Sequence, residues 1–271
     1  MNIQSNNPIG IFDSGVGGLT VADAVVRLLP KESLIYFGDT VHYPWGDKST
    51  AAIQAYSVRI CDMLLKQSCK LILIACNTAS SAAYELVKEY VGNRAKVVDV
   101  IAPIVNHIRE HCKDKTIGLI GTKQTVTSNI YKKKLDQLDA GIQLQSLATP
   151  LLVPLIEEGF ADSKITAETI QQYLAQPVLQ NIDSLILGCT HYPLIKNHII
   201  RYYQGKVEII DACEIVAKAV HGLLSYHNLL NRETSPKKTL YVSDYTETFE
   251  EHAKFFFSEA IHLEQYPLWD A

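Results

Sequence analysis

Short apolar runs rich in Ile, Leu and Val alternate along the chain with longer stretches of helical periodicity. That alternation predicts a parallel α/β sheet, because strands covered on both faces by helices read as continuous apolar runs. Strands are expected at Ile9–Phe12, Leu34–Gly38, Leu71–Ala75 and Lys96–Val100, then at Thr116–Ile120, Gln143–Ala148, Leu185–Gly188 and Val207–Ile210. A further strand is expected at Thr239–Ser243. The segments between them predict helices that include Thr20–Leu29, Ala51–Lys66, Ser80–Tyr90 and Ser128–Leu138.

The two sets of strands run in register. The pairs Ile9/Ile117, Cys76/Cys189 and Lys96/Lys206 are separated by 108, 113 and 110 residues. Local texts agree as well: GIFDS with GLIGT, LILIACNT with LILGCTH, AKVVDV with GKVEIID. Two similar lobes follow, each a mainly parallel sheet flanked by helices, with 1–98 plus 211–271 forming the first and 99–210 the second. Ligands of open parallel sheets bind beyond the carboxyl ends of the strands. The polar endings Asp13-Ser14, Cys76-Asn77-Thr78, Gly121-Thr122 and Cys189-Thr190-His191 all belong there, so facing lobes would gather them around one cleft.

Composition narrows the class without naming a chemistry. The chain has 271 residues, 47% hydrophobic and 20% charged, which suits an ordinary globular protein. Its net charge is −4 with dispersed Lys and Arg, so nucleic acid is not an expected partner. Lys132–Lys134 reads as a solvated helix face. No apolar run reaches the length of a membrane span, and the first residues, MNIQSNNPIG, lack the pattern of an export signal. The six cysteines contain no Cys-x-x-Cys pair, which predicts reduced thiols in a cytoplasmic protein.

Each motif carries competing readings. FDSGVGGLT is a glycine-rich strand-to-helix turn that could cradle an anion or be a plain tight turn; it lacks both the P-loop ending and the third glycine of a dinucleotide fingerprint. Asp39, ending the next strand, keeps a dinucleotide site open. Cys61, Cys69, Cys112 and Cys213 suit inert buried thiols. Cys76 does not, because a helix N-terminus follows it, with Asn77, Thr78 and Ser80 available as caps. That position is expected to lower its pKa. His191 lies close enough to Cys189 to act with it. His107 and His111, with Cys112 following, share a helix face but lack further ligands, so surface histidines are expected rather than a metal site. VHYPWGDKS (41–49) suits a loop over the cleft or a structural turn.

Two thiols from opposite lobes fit a pair of acid–base groups on opposite faces of one carbon, with inversion of a stereocentre as the outcome. FDSGVGGLTV, YFGDTVHYPWG, ACNTAS, TPLLVPLIEEG and GCTHYPLI, in this order, resemble the cofactor-independent aspartate/glutamate racemase family on its glutamate-specific side. The resemblance spans about Ile9 to Ser243. It implies cytoplasmic interconversion of L- and D-glutamate for peptidoglycan synthesis by a homodimer, without pyridoxal phosphate or metal. It also implies that Cys76 and Cys189 are the bases, Cys76 acting on D-glutamate and Cys189 on L-glutamate. Asp13-Ser14, Asn77-Thr78, Thr190-His191 and Trp45-Gly46 match the family's substrate-binding motifs. The resemblance further implies that Asp13 and His191 assist the thiols and that Glu157 falls near the site. Trp45 departs from the family's usual Tyr before the glycine. Three rivals remain at this point: an aspartate racemase, against which GCTH argues; a non-catalytic two-lobed binding protein; and a dinucleotide-dependent oxidoreductase.

Overall fold

In the computed structural model, residues 3–138, 140–232, 235–257, 259 and 262–270 are described. Ten strands are found among them: β1 Ile9–Asp13, β2 Leu34–Gly38, β3 Leu71–Ile74, β4 Lys96–Asp99, β5 Thr116–Gly121, β6 Gln143–Ala148, β7 Ser184–Gly188, β8 Glu208–Ile210, β9 Lys238–Val242 and β10 Leu263–Gln265. The helices are α1 Leu19–Leu28, α2 Thr50–Lys66, α3 Asn77–Val91, α4 Ile101–His111, α5 Lys123–Thr127, α6 Ile130–Asp136, α7 Leu152–Glu157, α8 Lys164–Leu174, α9 Lys196–Tyr203, α10 Ala212–Tyr226 and α11 Glu247–Ala253.

The strands form two sheets, ordered β10-β9-β2-β1-β3-β4 and β6-β5-β7-β8, and every pairing is parallel. The four-strand unit β2-β1-β3-β4 has the same order as β6-β5-β7-β8. The internal repeat read from the sequence is therefore a repeat of topology, with β1 matching β5 and β3 matching β7. The first sheet continues past β2 through β9 and β10, and β10 was not expected from the sequence. Its Leu-Glu-Gln text holds a single apolar residue and two exposed polar ones, which is no strand pattern.

Alternation along the first sheet splits its side chains between two cores, since successive residues of a strand face opposite ways. Ile9, Ile11, Leu71 and Leu73 join a large core with α1, α4 and α10 that runs on into Ile117, Leu185 and Ile186 of the second sheet. Phe12, Phe37, Ile72 and Ile74 face a second core built on α2 and α3. The lobes thus share one continuous apolar interior, which fixes the direction in which their strand ends face.

The helix expected at Ser128–Leu138 is broken. Asn129 takes a left-handed backbone (φ 53°), ending α5 and opening α6. Asparagine tolerates that conformation where most residues do not. At α2 the start is set by Ser49, whose hydroxyl accepts from the Ala52 N–H at 3.2 Å.

Candidate active site

The carboxyl ends of β1, β3, β5 and β7 open on a single cavity between the sheets. Ser14, Cys76, Asn77 and Thr78 line it from the first lobe, and Thr122, Cys189, Thr190 and His191 from the second. The loop around Tyr43–Asp47 covers one side, and Thr149, Pro150 and Val153 another. Parallel strands all deliver their ends to one edge, so the matched thiols meet without any long-range coincidence. Cys76 is 5% and Cys189 7% exposed, enough contact with the cavity for a small ligand and little with bulk water.

Cys76 is itself the N-cap of α3: its Sγ accepts from the Ala79 N–H at 3.4 Å. The three polar residues expected to cap the helix are used elsewhere. The Thr78 hydroxyl pairs with that of Thr122 at 2.9 Å, Asn77 Oδ1 accepts from the Tyr131 hydroxyl at 2.8 Å, and Ser80 donates to the Ile74 carbonyl at 3.3 Å. The expectation of a lowered Cys76 pKa is also overturned. Burial, reinforced by the neighbouring Asp13 carboxylate, pushes it up to about 12, although the Ala79 N–H and the Ser14 hydroxyl 3.5 Å away act in the opposite direction. The helix terminus does favour the thiolate, but burial outweighs it.

On the other side His191 stands between Cys189 and Glu157. Its Nδ1 lies 3.6 Å from Cys189 Sγ and its Nε2 is in close contact with Glu157 Oε1. Burial alone would hold the imidazole neutral. The Glu157 charge and the Cys189 contact outweigh burial and set its pKa well above the ordinary value, which favours the charged ring. Asp13, fully buried, has its pKa raised by that burial, which outweighs the His191 charge and the N–H groups of Gly18 and Gly15. Gly15 N–H donates to Asp13 Oδ2 at 3.0 Å, while Oδ1 has no partner among the described residues.

The glycine-rich turn is explained by these two side chains. A Cβ on Gly17 would lie 2.3 Å from the His191 ring, and one on Gly18 would lie 2.5 Å from the Asp13 Cβ. Its glycines make room for protein side chains, so the turn needs no phosphate to account for it. Thr20, in the first turn of α1, donates to the Thr190 carbonyl at 3.0 Å and ties the turn to the second lobe.

Asp39 does not reach the cavity. Its carboxylate accepts from the Trp45 indole (3.1 Å), the Ser243 hydroxyl (3.0 Å) and the Trp269 indole (2.9 Å), and meets His42 Nδ1 at 2.9 Å. With both oxygens engaged, it has nothing left for a ribose. Trp45 lines the cavity but spends its N–H on Asp39, and Gly46 brings the loop against Thr122, which a Cβ there would approach to 3.1 Å. At the other candidate cluster, His111 Nδ1 donates to the His107 carbonyl and Cys112 is buried in the core. Among the described residues no group of three or more His, Cys, Asp or Glu could hold a metal ion.

Sequence reasoning placed Thr122 at the cleft without its hydroxyl bridge to Thr78, and it singled out neither the Tyr43 phenol on the cavity nor Tyr131 behind Asn77. Thr122 carried a signal, since it follows β5 as Ser14 follows β1. Tyr131 carried none.

This architecture defines a class: a duplicated, two-lobed α/β protein with one buried thiol from each lobe in a shared cleft. Residues 9–220 match the Asp/Glu/Hydantoin racemase model, and the chain belongs to that family. It is 40% identical over 255 residues to a glutamate racemase of Chlorobaculum parvum, covering 94% of this chain and 93% of that one. Its fold superposes with a TM-score of 0.92 and 37% identity on the glutamate racemase of Francisella tularensis solved in complex with D-glutamate, covering 98% of this chain and all of that one. The Thermus thermophilus glutamate racemase solved in complex with β-chloro-D-alanine gives 0.86 and 37%, over 97% and 98% of the two chains.

Proposed function

We propose that this protein interconverts L- and D-glutamate by proton transfer between two thiols on opposite faces of the Cα. The observation that supports the reading best is the pair Cys76 and Cys189, delivered from matched strand ends of two lobes into one cleft. Relatives about 40% identical across nearly their whole length act on glutamate by name, which favours glutamate over aspartate.

In this reading L-glutamate presents its α-hydrogen to Cys189, with the His191 imidazolium 3.6 Å from the sulfur as its charged neighbour. The Cys189 thiolate removes that proton, and the Cys76 thiol delivers one to the opposite face. The raised Cys76 pKa keeps that thiol protonated in the empty site, ready to donate. In the reverse direction Cys76 must act as the base. The substrate's own ammonium, entering beside it, favours the thiolate that the empty site disfavours. Ser14, Asn77, Thr78, Thr190 and His191 hold the substrate, with the backbone at Trp45–Gly46. Asp13 acts on Cys76, and Glu157 acts through His191.

Incubation with L-glutamate in deuterated water, without added cofactor, tests this. Optical rotation should decay to zero while deuterium enters Cα. Unchanged rotation and no exchange would leave a binding protein. We further propose a cytoplasmic homodimer that supplies D-glutamate to cell-wall synthesis, and a division of the chain near residues 98 and 211. Among the described residues no helix is long and apolar enough to cross a membrane.

A further inference from the structure

Tyr43 lies in the loop between β2 and α2, and its side chain faces the same cavity as Cys189 and His191. The phenol oxygen is shielded from solvent and has no hydrogen-bond partner among the described residues. A buried hydroxyl left without a partner costs free energy, so such a group in a ligand cavity is a donor waiting for an acceptor.

The loop does not leave this hydroxyl free to swing away. On one side of Tyr43, His42 is held by Asp39 at 2.9 Å and stacks on Tyr56 with ring centroids 4.0 Å apart. On the other side, the Trp45 indole donates to the same carboxylate. Asp39 in turn is fixed by Ser243 and by Trp269 near the end of the chain. The ring of Tyr43 rests against Gly15, where even a Cβ would come within 3.3 Å. Both flanks and one face of the side chain are therefore set by packing.

The phenol is a donor in its resting form. Burial, followed by the negative charges of Glu157, Cys189 and Asp13, raises its pKa far above the ordinary value. A second open donor faces the same space: Asn77 Nδ2 has no partner, while its Oδ1 is already taken by Tyr131. Two unpaired donors on one small cavity suit an anionic ligand oxygen better than an ammonium.

We infer that Tyr43 is a substrate-binding residue that donates its phenol O–H to a carboxylate of the bound amino acid. The inference rests on the proposed glutamate reading. No covalent step is involved, and the phenol neither loses nor gains a proton during turnover.

The test is Tyr43→Phe, which keeps the ring and removes only the hydroxyl. Loss of one hydrogen bond to a charged group should raise KM for both enantiomers by about tenfold or more, with kcat within about threefold of the parent. A crystal structure of the unaltered protein with D-glutamate should place the phenol oxygen within roughly 3.2 Å of a carboxylate oxygen. An unchanged KM overturns the assignment. So does a fall in kcat with KM unmoved, which would make Tyr43 a partner of Cys189, or a phenol placed against the ammonium. If Tyr43→Phe does not fold, the crystal structure decides alone. Absence of glutamate turnover in the unaltered protein sinks the glutamate reading, whereas turnover with unchanged KM in the variant sinks only the role of Tyr43.

Discussion

Cys76 and Cys189 sit at equivalent positions of the repeat, yet their surroundings differ. Cys76 has Asp13 and the Ala79 N–H beside it, whereas Cys189 has a charged His191 backed by Glu157. Serine at either position leaves a hydroxyl far too weakly acidic to act as base or donor at neutral pH. Racemisation should fall by at least about a hundredfold in Cys76→Ser and in Cys189→Ser. With a glutamate analogue carrying a leaving group on the β-carbon, elimination needs only the first proton transfer. Each variant should then favour one enantiomer, Cys76→Ser the L form and Cys189→Ser the D form. Equal preferences in the two variants would mean that the thiols do not flank the carbon.

Asp13 carries a second prediction, because its ionisation costs stability. Its folded pKa lies above the unfolded value near 3.8. The favourable contribution of its proton is therefore complete below that unfolded value and is lost as pH rises through the folded one. At neutral pH the buried carboxylate is a net penalty to folding. Asp13→Asn should raise the thermal midpoint at pH 7 while lowering kcat more than it raises KM. A lower midpoint, or a change confined to KM, would remove Asp13 from the proton-transfer machinery.

At the scale of elements, the turn from β1 into α1 couples the lobes. Its glycines admit His191 from the second lobe, and Thr20 bonds the backbone beside that histidine. Gly17→Ala would set a methyl 2.3 Å from the His191 ring, which has Glu157 on one nitrogen and Cys189 on the other and so cannot yield without losing one of them. On the proposed role of His191 beside Cys189, activity should drop by about tenfold or more. The far-ultraviolet circular dichroism should stay unchanged, since the altered residue precedes the helix. Full activity would show that His191 relocates freely and that its fixed place is dispensable.

For the whole molecule, the apolar core shared between the sheets holds the two thiols, one from each lobe, on a single cleft. Activity should persist after dialysis against a chelator and after treatment with a carbonyl-trapping reagent, and be lost on thiol alkylation. Glutamate should slow the alkylation, because Cys76 and Cys189 are the cysteines that line the cavity and the other four are buried in the cores. Activity lost to chelator and restored by a divalent metal would contradict a two-thiol mechanism.

Local pattern alone determined nine of the ten strands found among the described residues, their duplication and the polar endings around the cavity. Period, length and punctuation are written into adjacent residues, and parallel strands leave no freedom about the edge at which their ends emerge. The placement of Ser14, Cys76, Asn77, Thr78, Cys189, Thr190 and His191 on one cavity, with Asp13 buried beside it, was legible for that reason. What each residue does there was decided by contacts between segments far apart in the chain. Burial reversed the expected shift of Cys76, since a pKa answers to everything packed around a group and not to its helix alone. Asp39 became the tie for Trp45, Ser243 and Trp269 only because β9 and the last residues fold back over β2. The Tyr43 hydroxyl became an open donor only because the tertiary structure buries it without a partner, and no stretch of sequence can state that a neighbour is missing.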